Sequence, residues 1–249
     1  MPIEYPSPLT PAASKAMLER LHKTCSDTMT KSLDAAFGIE MGKLCVFAHD
    51  LNVWRQVLSE RPESALYIRA EQEYLTAIVN LGQGQYRNAF KGLRLVLELC
   101  MQGVYLSANL VELQEWLANL KDTNWSELTD SDKGPLSKRY CRAFFSEIED
   151  HTSNFQSMAK TVYRELSETV HGNTPHHIPM PDSFEFNEEA FATWKEKAKI
   201  VRLTISFCLT SRYLKILPAG SRARVEDAVI EQLGHIEAVR VLFGGPKTL

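Results

Sequence analysis

Leu44, Phe47, Leu51, Trp54 and Leu58 recur at steps of three and four residues, and that rhythm continues through most of the chain. Such steps gather side chains on one face of a helix that turns every 3.6 residues or so, so each run predicts a helix with one apolar side. The rhythm returns in Leu66, Ala70, Tyr74, Ala77 and Ile78, and in Tyr86, Phe90, Leu93, Val96, Leu97 and Cys100. It returns again in Leu110, Leu113, Trp116 and Leu120. No stretch alternates apolar and polar residues as a half-buried strand does. The chain is expected to be all-α.

Punctuation residues divide the helices. The first eleven residues hold four prolines and read as a loose arm. Ser14 to Ser59 predicts two helices, broken near Gly38 or Gly42. Pro62-Glu63 opens a third, which Gly82-Gln83-Gly84 ends. That glycine pair lacks the preceding strand and the following Gly-Lys-Ser/Thr of a phosphate loop. A helix follows from Gln85 to about Met101, and Ser107 is placed to cap a short one after it. Asp122 to Gly134 is polar and reads as a loop. Helix resumes near Pro135 and runs toward Gly172, with a bend at His151-Thr152-Ser153, where helix propensity weakens. Three prolines between Asn173 and Asn187 predict a long loop. Asn187 caps a last long helix ended by Pro218, and a final helix spans Arg222 to Leu242.

Composition narrows the functional classes. With 249 residues, 44% of them hydrophobic and 24% charged, the chain can bury one substantial core. A formal charge of -3 gives no overall pull toward nucleic acid, so any RNA surface must be a local patch. The five cysteines, at 25, 45, 100, 141 and 208, form no CxxC pair and support neither a zinc knuckle nor a disulfide framework. A reducing cytoplasm is the expected setting. The N-terminus has neither the basic region nor the apolar stretch of a signal peptide. The most apolar stretch, Ile200 to Leu217, contains Arg202, Arg212 and Lys215, so no membrane partner is expected. No cofactor and no metal are expected: His176-His177 has no carboxylate or cysteine at ligand spacing. No serine sits in a nucleophile motif.

The stretch from Tyr163 to Asn173 carries the most chemistry. Arg164 and His171 stand seven residues apart, so on one helix they share a side, roughly 10 Å apart along the axis. Ser167 lies between them on the same stripe. Tyr163, Leu166 and Val170 form a separate apolar stripe that can seat the helix on a core. An arginine grips phosphate through two hydrogen bonds, and a histidine moves protons near neutral pH. The same residues also fit an ordinary helix end, because Gly172, Asn173 and Pro175 are stop signals and a terminal His suits the helix dipole.

Two segments together resemble the HEPN superfamily. One is Gly84-x-Tyr86-Arg87-x-Ala89-Phe90-x-x-Leu93-Arg94-x-x-x-Glu98; the other is Arg164 to His171 followed by Gly172. The second is similar to bacterial branches whose late helix reads YxxLSxxVHG. The resemblance covers about residues 63–217. It implies an up-and-down helical bundle over 63–217, preceded by an arm and helical extension over 1–62 and followed by a C-terminal helix over 218–249. It also implies a homodimer and, in many members, metal-independent cleavage of RNA in toxin–antitoxin or phage-defence systems. Carried onto this chain, Arg164 would clamp the scissile phosphate and His171 would transfer a proton, at a cleft between two copies. Ser167 would orient the phosphate or hold the ring of His171, and Arg94 and Glu98 would support the site. The expected product would be a 2′,3′-cyclic phosphate. Two departures keep a second reading open: Glu165 stands where active members carry Asn, Asp or His, and six residues separate the Arg from the His. That second reading is a non-catalytic adaptor or regulatory subunit, which binds a partner defence protein or an antitoxin.

Two further groups have plain structural alternatives. Arg94 and Glu98, four apart, also fit an ion pair inside the bundle. Lys195, Lys199 and Arg202 belong to a basic stretch that would guide an RNA backbone, or would simply solvate a helix exterior.

Overall fold

Eleven α-helices and no strand occur among the described residues of the computed structural model. Those residues are 7–168, 170, 180–181 and 183–248. The helices are α1 (Pro11–Ser32), α2 (Ala35–Val57), α3 (Ser64–Gly82), α4 (Tyr86–Leu106), α5 (Leu110–Leu117) and α6 (Trp125–Leu128). They continue as α7 (Lys138–Phe145), α8 (Thr152–Ser167), α9 (Glu188–Tyr213), α10 (Ala219–Leu233) and α11 (Glu237–Leu242), with a 3-10 helix over Ser146–His151. The all-α expectation is met.

α3 and α4 form the tightest antiparallel pair. Two glycines of α4 allow it: a Cβ on Gly92 would stand 2.9 Å from the Ala77 Cβ, and one on Gly103 would stand 2.7 Å from the Tyr67 ring. α4 then packs along α9, which also meets α7, α8 and α10, while α2 covers α3 and α10. The apolar rhythm of α2 does what its spacing implies, burying Met41, Leu44, Phe47, Leu51, Trp54 and Leu58. These side chains join Val225, Val229 and Leu233 of α10 and the α3–α9 residues in one cluster. The hydrophobic core therefore runs across the boundaries expected at 62 and 217. α1 is the exception, with only Thr28 and Ser32 buried. Thr28 donates to the Phe184 carbonyl at 2.8 Å and Ser32 to the Gly82 carbonyl at 2.8 Å.

Several boundaries differ from expectation, each for a local reason. The α1–α2 break falls at Leu33 and Asp34, not at Gly38 or Gly42. Gly38 instead continues α2 while its bare Cα faces the Leu33 carbonyl, which a Cβ would approach to 2.6 Å. α4 continues five residues past Met101 because its last turns stay buried. Asn109, not Ser107, precedes α5. The Ser107 hydroxyl donates to the Val104 carbonyl and accepts from the buried Arg212 Nε at 2.7 Å. The expected loop over 122–134 contains α6, whose start is closed by reciprocal bonds between Asn124 and Glu127. The helix expected from Pro135 is interrupted over Ser146–His151 and ends at Ser167, short of Gly172. Asn187 caps α9 as expected, accepting from the Ala190 amide at 2.8 Å. The single final helix is two, divided at Gly234–Ile236.

Candidate functional site

α8 is amphipathic, and its buried side chains Phe155, Ala159, Val162 and Leu166 seat it on α4 and α9. That seating sends consecutive residues of its last turn to different surroundings. Tyr163 points at α4. Its hydroxyl accepts from Arg94 Nη2 at 2.5 Å and donates to Glu98 Oε1 at 2.7 Å, while Arg94 also reaches Glu98 at 3.2 Å. The Arg94 guanidinium carbon stands 4.5 Å from the Tyr163 ring centroid. The other face of that ring stacks on Trp125, with centroids 3.7 Å apart and planes 7° from parallel. Burial, reinforced by the Glu98 carboxylate, pushes the Tyr163 phenol up to about 12. Arg94 and Glu98 are thus the expected pair on α4, with a third member from α8 that spacing along one helix could not reveal. Trp125 falls in a stretch whose composition reads as a polar loop, and only the folded contact gives it a role.

Arg164 is exposed, and its guanidinium has no hydrogen bond or ion pair among the described residues. Its neighbours are committed. Glu165 pairs with Lys197 of α9 at 2.5 Å, both largely shielded from solvent. Ser167 donates its hydroxyl proton to the Tyr163 carbonyl at 2.6 Å. Its lone pairs therefore remain free to accept from a donor such as an imidazole N–H, whereas donation to a phosphate would cost this bond. Leu166 is fully buried, as the apolar stripe requires, but Val170 is 41% exposed and does not extend that stripe. His171 lies outside the described residues, as do His176 and His177.

The basic residues assigned to RNA are each paired. Lys195 meets Glu40 at 2.9 Å, Lys199 meets Glu196 at 2.8 Å, and Arg202 meets Asp50 at 2.7 Å and Glu231 at 2.6 Å. They line a cleft of about 240 Å³ between α2, α9 and α10, floored by Leu44, Phe47 and Tyr74. Lys43 and Lys195 hold the Glu40 carboxyl down at about 2, with the Lys43 hydrogen bond the larger influence. Burial pushes the Asp50 carboxyl up, against the pull of Arg202. A second apolar feature lies on α5 and the turn after it, where Leu110, Val111 and Leu120 are 68%, 74% and 78% exposed. They form a shallow groove with Gln114 and Glu115.

No group of three or more His, Cys, Asp or Glu that could hold a metal ion occurs among the described residues. No helix among them is long and apolar enough to cross a membrane. Comparison with protein-family models, curated proteins and solved structures finds no match.

Proposed function

We propose that the chain is a HEPN-like, metal-independent endoribonuclease of a bacterial defence or toxin system, acting as a homodimer. The observation that carries the reading is the exposed Arg164 at the last turn of α8, unpaired among the described residues and seven residues before His171. An exposed guanidinium can turn two N–H groups toward the non-bridging oxygens of a phosphodiester. His171 would take the ribose 2′-OH proton as the 2′-oxygen attacks phosphorus. The bond to the 5′-oxygen breaks, and a protonated group returns a proton to that oxygen, leaving a 2′,3′-cyclic phosphate and a 5′-hydroxyl. Arg164 would meet the charge that develops on the phosphorane oxygens. The Arg94–Tyr163–Glu98 contacts hold the helix that carries Arg164 and act as support, away from the reacting atoms.

A second reading draws on a different observation. Exposed Leu110 and Val111 of α5, with Leu120 just beyond it, are the kind of apolar patch that binds another protein, and they suit an adaptor that docks a partner defence protein or antitoxin.

The test is cleavage of tRNA and of a labelled single strand by purified protein in EDTA, beside Arg164→Ala and His171→Ala. Cutting that survives EDTA and is lost in both folded variants supports the nuclease. A folded wild type that leaves both RNAs intact favours the adaptor.

A further inference from the structure

All four charged residues of α4, Arg87, Lys91, Arg94 and Glu98, recur at steps of four, three and four, so they share one edge of that helix. Arg94 and Glu98 both reach Tyr163, which sets that edge beside α8. The cations of α8 that flank Tyr163 are Lys160 and Arg164, both exposed and one turn apart. The two helices run antiparallel. Tyr86 and Ser107, at opposite ends of α4, meet Asn187 and Arg212, at the corresponding ends of α9. Phe155 and Glu165 of α8 meet Phe207 and Lys197 of α9 in the reverse order. Counted from the Tyr163 contacts, Lys91 therefore lies about one turn beyond Arg164 along the α4–α8 groove. Lys160, Arg164 and Lys91 follow one another at steps of roughly 6 Å, and Arg87 continues the row by about one more step.

The row carries surplus charge. α4, α8 and the C-cap residue Glu168 hold five cations and three carboxylates, in a chain whose net charge is -3. Glu98 is tied to Arg94 and Tyr163, and Glu165 to Lys197. Lys91, Lys160 and Arg164 have no hydrogen bond or ion pair among the described residues. Lys160 does feel Asp130, whose carboxylate already accepts from the Asp132 and Lys133 amides. The cations of the α2–α9–α10 cleft contrast with these, since Glu40, Glu196, Asp50 and Glu231 match them.

We propose that the α4–α8 groove is the track of a single RNA strand, whose successive phosphates lie along Lys160, Arg164 and Lys91. The assignment deepens the proposed function and rests on that reading, which makes Arg164 the residue that grips the reacting phosphate. Charge complementarity selects the occupant. A strand with one negative charge per nucleotide meets one cation after another along such a row, and each phosphate neutralised releases a counterion. Lys91 and Lys160 would touch phosphate alone, so they position the strand without reading its sequence.

The test is fluorescence anisotropy of a labelled single strand with every 2′-oxygen methylated, titrated with the full chain at several salt concentrations. The methyl groups remove the nucleophile, so wild type can bind without cutting. Circular dichroism confirms the folding of each variant, and cleavage of the unmethylated strand is recorded separately. Lys91→Ala and Lys160→Ala are each expected to weaken binding roughly fivefold near 0.1 M salt and to lower the salt slope by about 0.7, the share of one phosphate on a single strand. Lys23→Ala removes an exposed charge from α1 and is expected to alter neither. A wild type that leaves the strand unbound overturns the track, as do Lys91 and Lys160 variants that keep wild-type affinity and slope. Loss of binding in Lys195→Ala or Lys199→Ala instead moves the RNA to the α2–α9–α10 cleft and overturns it too. Salt-dependent binding that falls in the α4–α8 variants, with the unmethylated strand left intact, keeps the track and removes the nuclease.

Discussion

The guanidinium of Arg94 engages Tyr163 twice: Nη2 donates to the hydroxyl at 2.5 Å, and the guanidinium carbon stands 4.5 Å from the ring centroid. Because the same hydroxyl donates to Glu98 at 2.7 Å, one oxygen ties α8 to both charges of the α4 pair. Tyr163→Phe keeps the stack on Trp125 and removes only that oxygen. It is expected to lower stability by about 1–2 kcal/mol, the scale for lost hydrogen bonds to charged groups at a half-buried site. Urea unfolding reads it, and an unchanged midpoint would mean that the oxygen links nothing.

Alkaline titration tests the interior as a whole. Burial raises the phenols of Tyr67, Tyr74, Tyr86, Tyr105, Tyr140, Tyr163 and Tyr213 above their ordinary value. A phenol with a higher pKa in the folded state favours folding while it stays protonated. For Tyr163 that advantage is whole below pH 10 and fades as the pH climbs through about 12. Phenolate absorbance in the native protein should therefore lag behind that of the denatured chain, and stability should fall over this window. Superimposable titrations of native and denatured protein would contradict the burial.

Two glycines of similar appearance should respond in opposite directions. A methyl at position 103 meets the buried Tyr67 ring, whose hydroxyl is 2.9 Å from that of Tyr213. Gly103→Ala should therefore cost about 1–3 kcal/mol by overpacking. Gly42 lies within α2, and a Cβ there would meet nothing within 4 Å. Gly42→Ala should add roughly 0.5–1 kcal/mol through helix propensity. Thermal unfolding of both variants settles the contrast.

The cations of the α2–α9–α10 cleft should separate by burial. Asp50 is 8% exposed, so Arg202→Ala strands a carboxylate and is expected to cost about 3 kcal/mol. The Lys199–Glu196 pair is 63% and 60% exposed, and Lys199→Ala should change stability by less than about 0.5 kcal/mol. Equal losses in urea unfolding would show that Arg202 is not tied into the fold.

Helix content is legible in the chain because it depends on spacing within one segment: the apolar rhythm of α2, α3 and α4, and the Asn187 cap of α9, are local. The chain's corners are less so. Gly38 reads as a breaker in sequence, yet in the structure it lets α2 close on the Leu33 carbonyl. Ser107 reads as a cap, yet it serves Arg212 from a helix far along the chain. The same limit applies to the site. Arg94 and Glu98 can be paired from their four-residue step, whereas the Tyr163 hydroxyl and the Trp125 ring join them only through packing. The basic stretch of α9 looks available to RNA in sequence because Glu40, Asp50 and Glu231, which neutralise it, lie on other helices.

Among the described residues, α1 is buried only toward its C-terminal end. Its two buried residues, Thr28 and Ser32, both sit in its last two turns, and its first half holds no buried side chain. Detaching that half exposes almost no apolar surface, so its opening free energy should be a small fraction of that for the whole molecule. Backbone amides near the start of α1 should exchange with solvent deuterium long before those of α4 or α9. A protease that trims these early turns should leave the remaining helices standing.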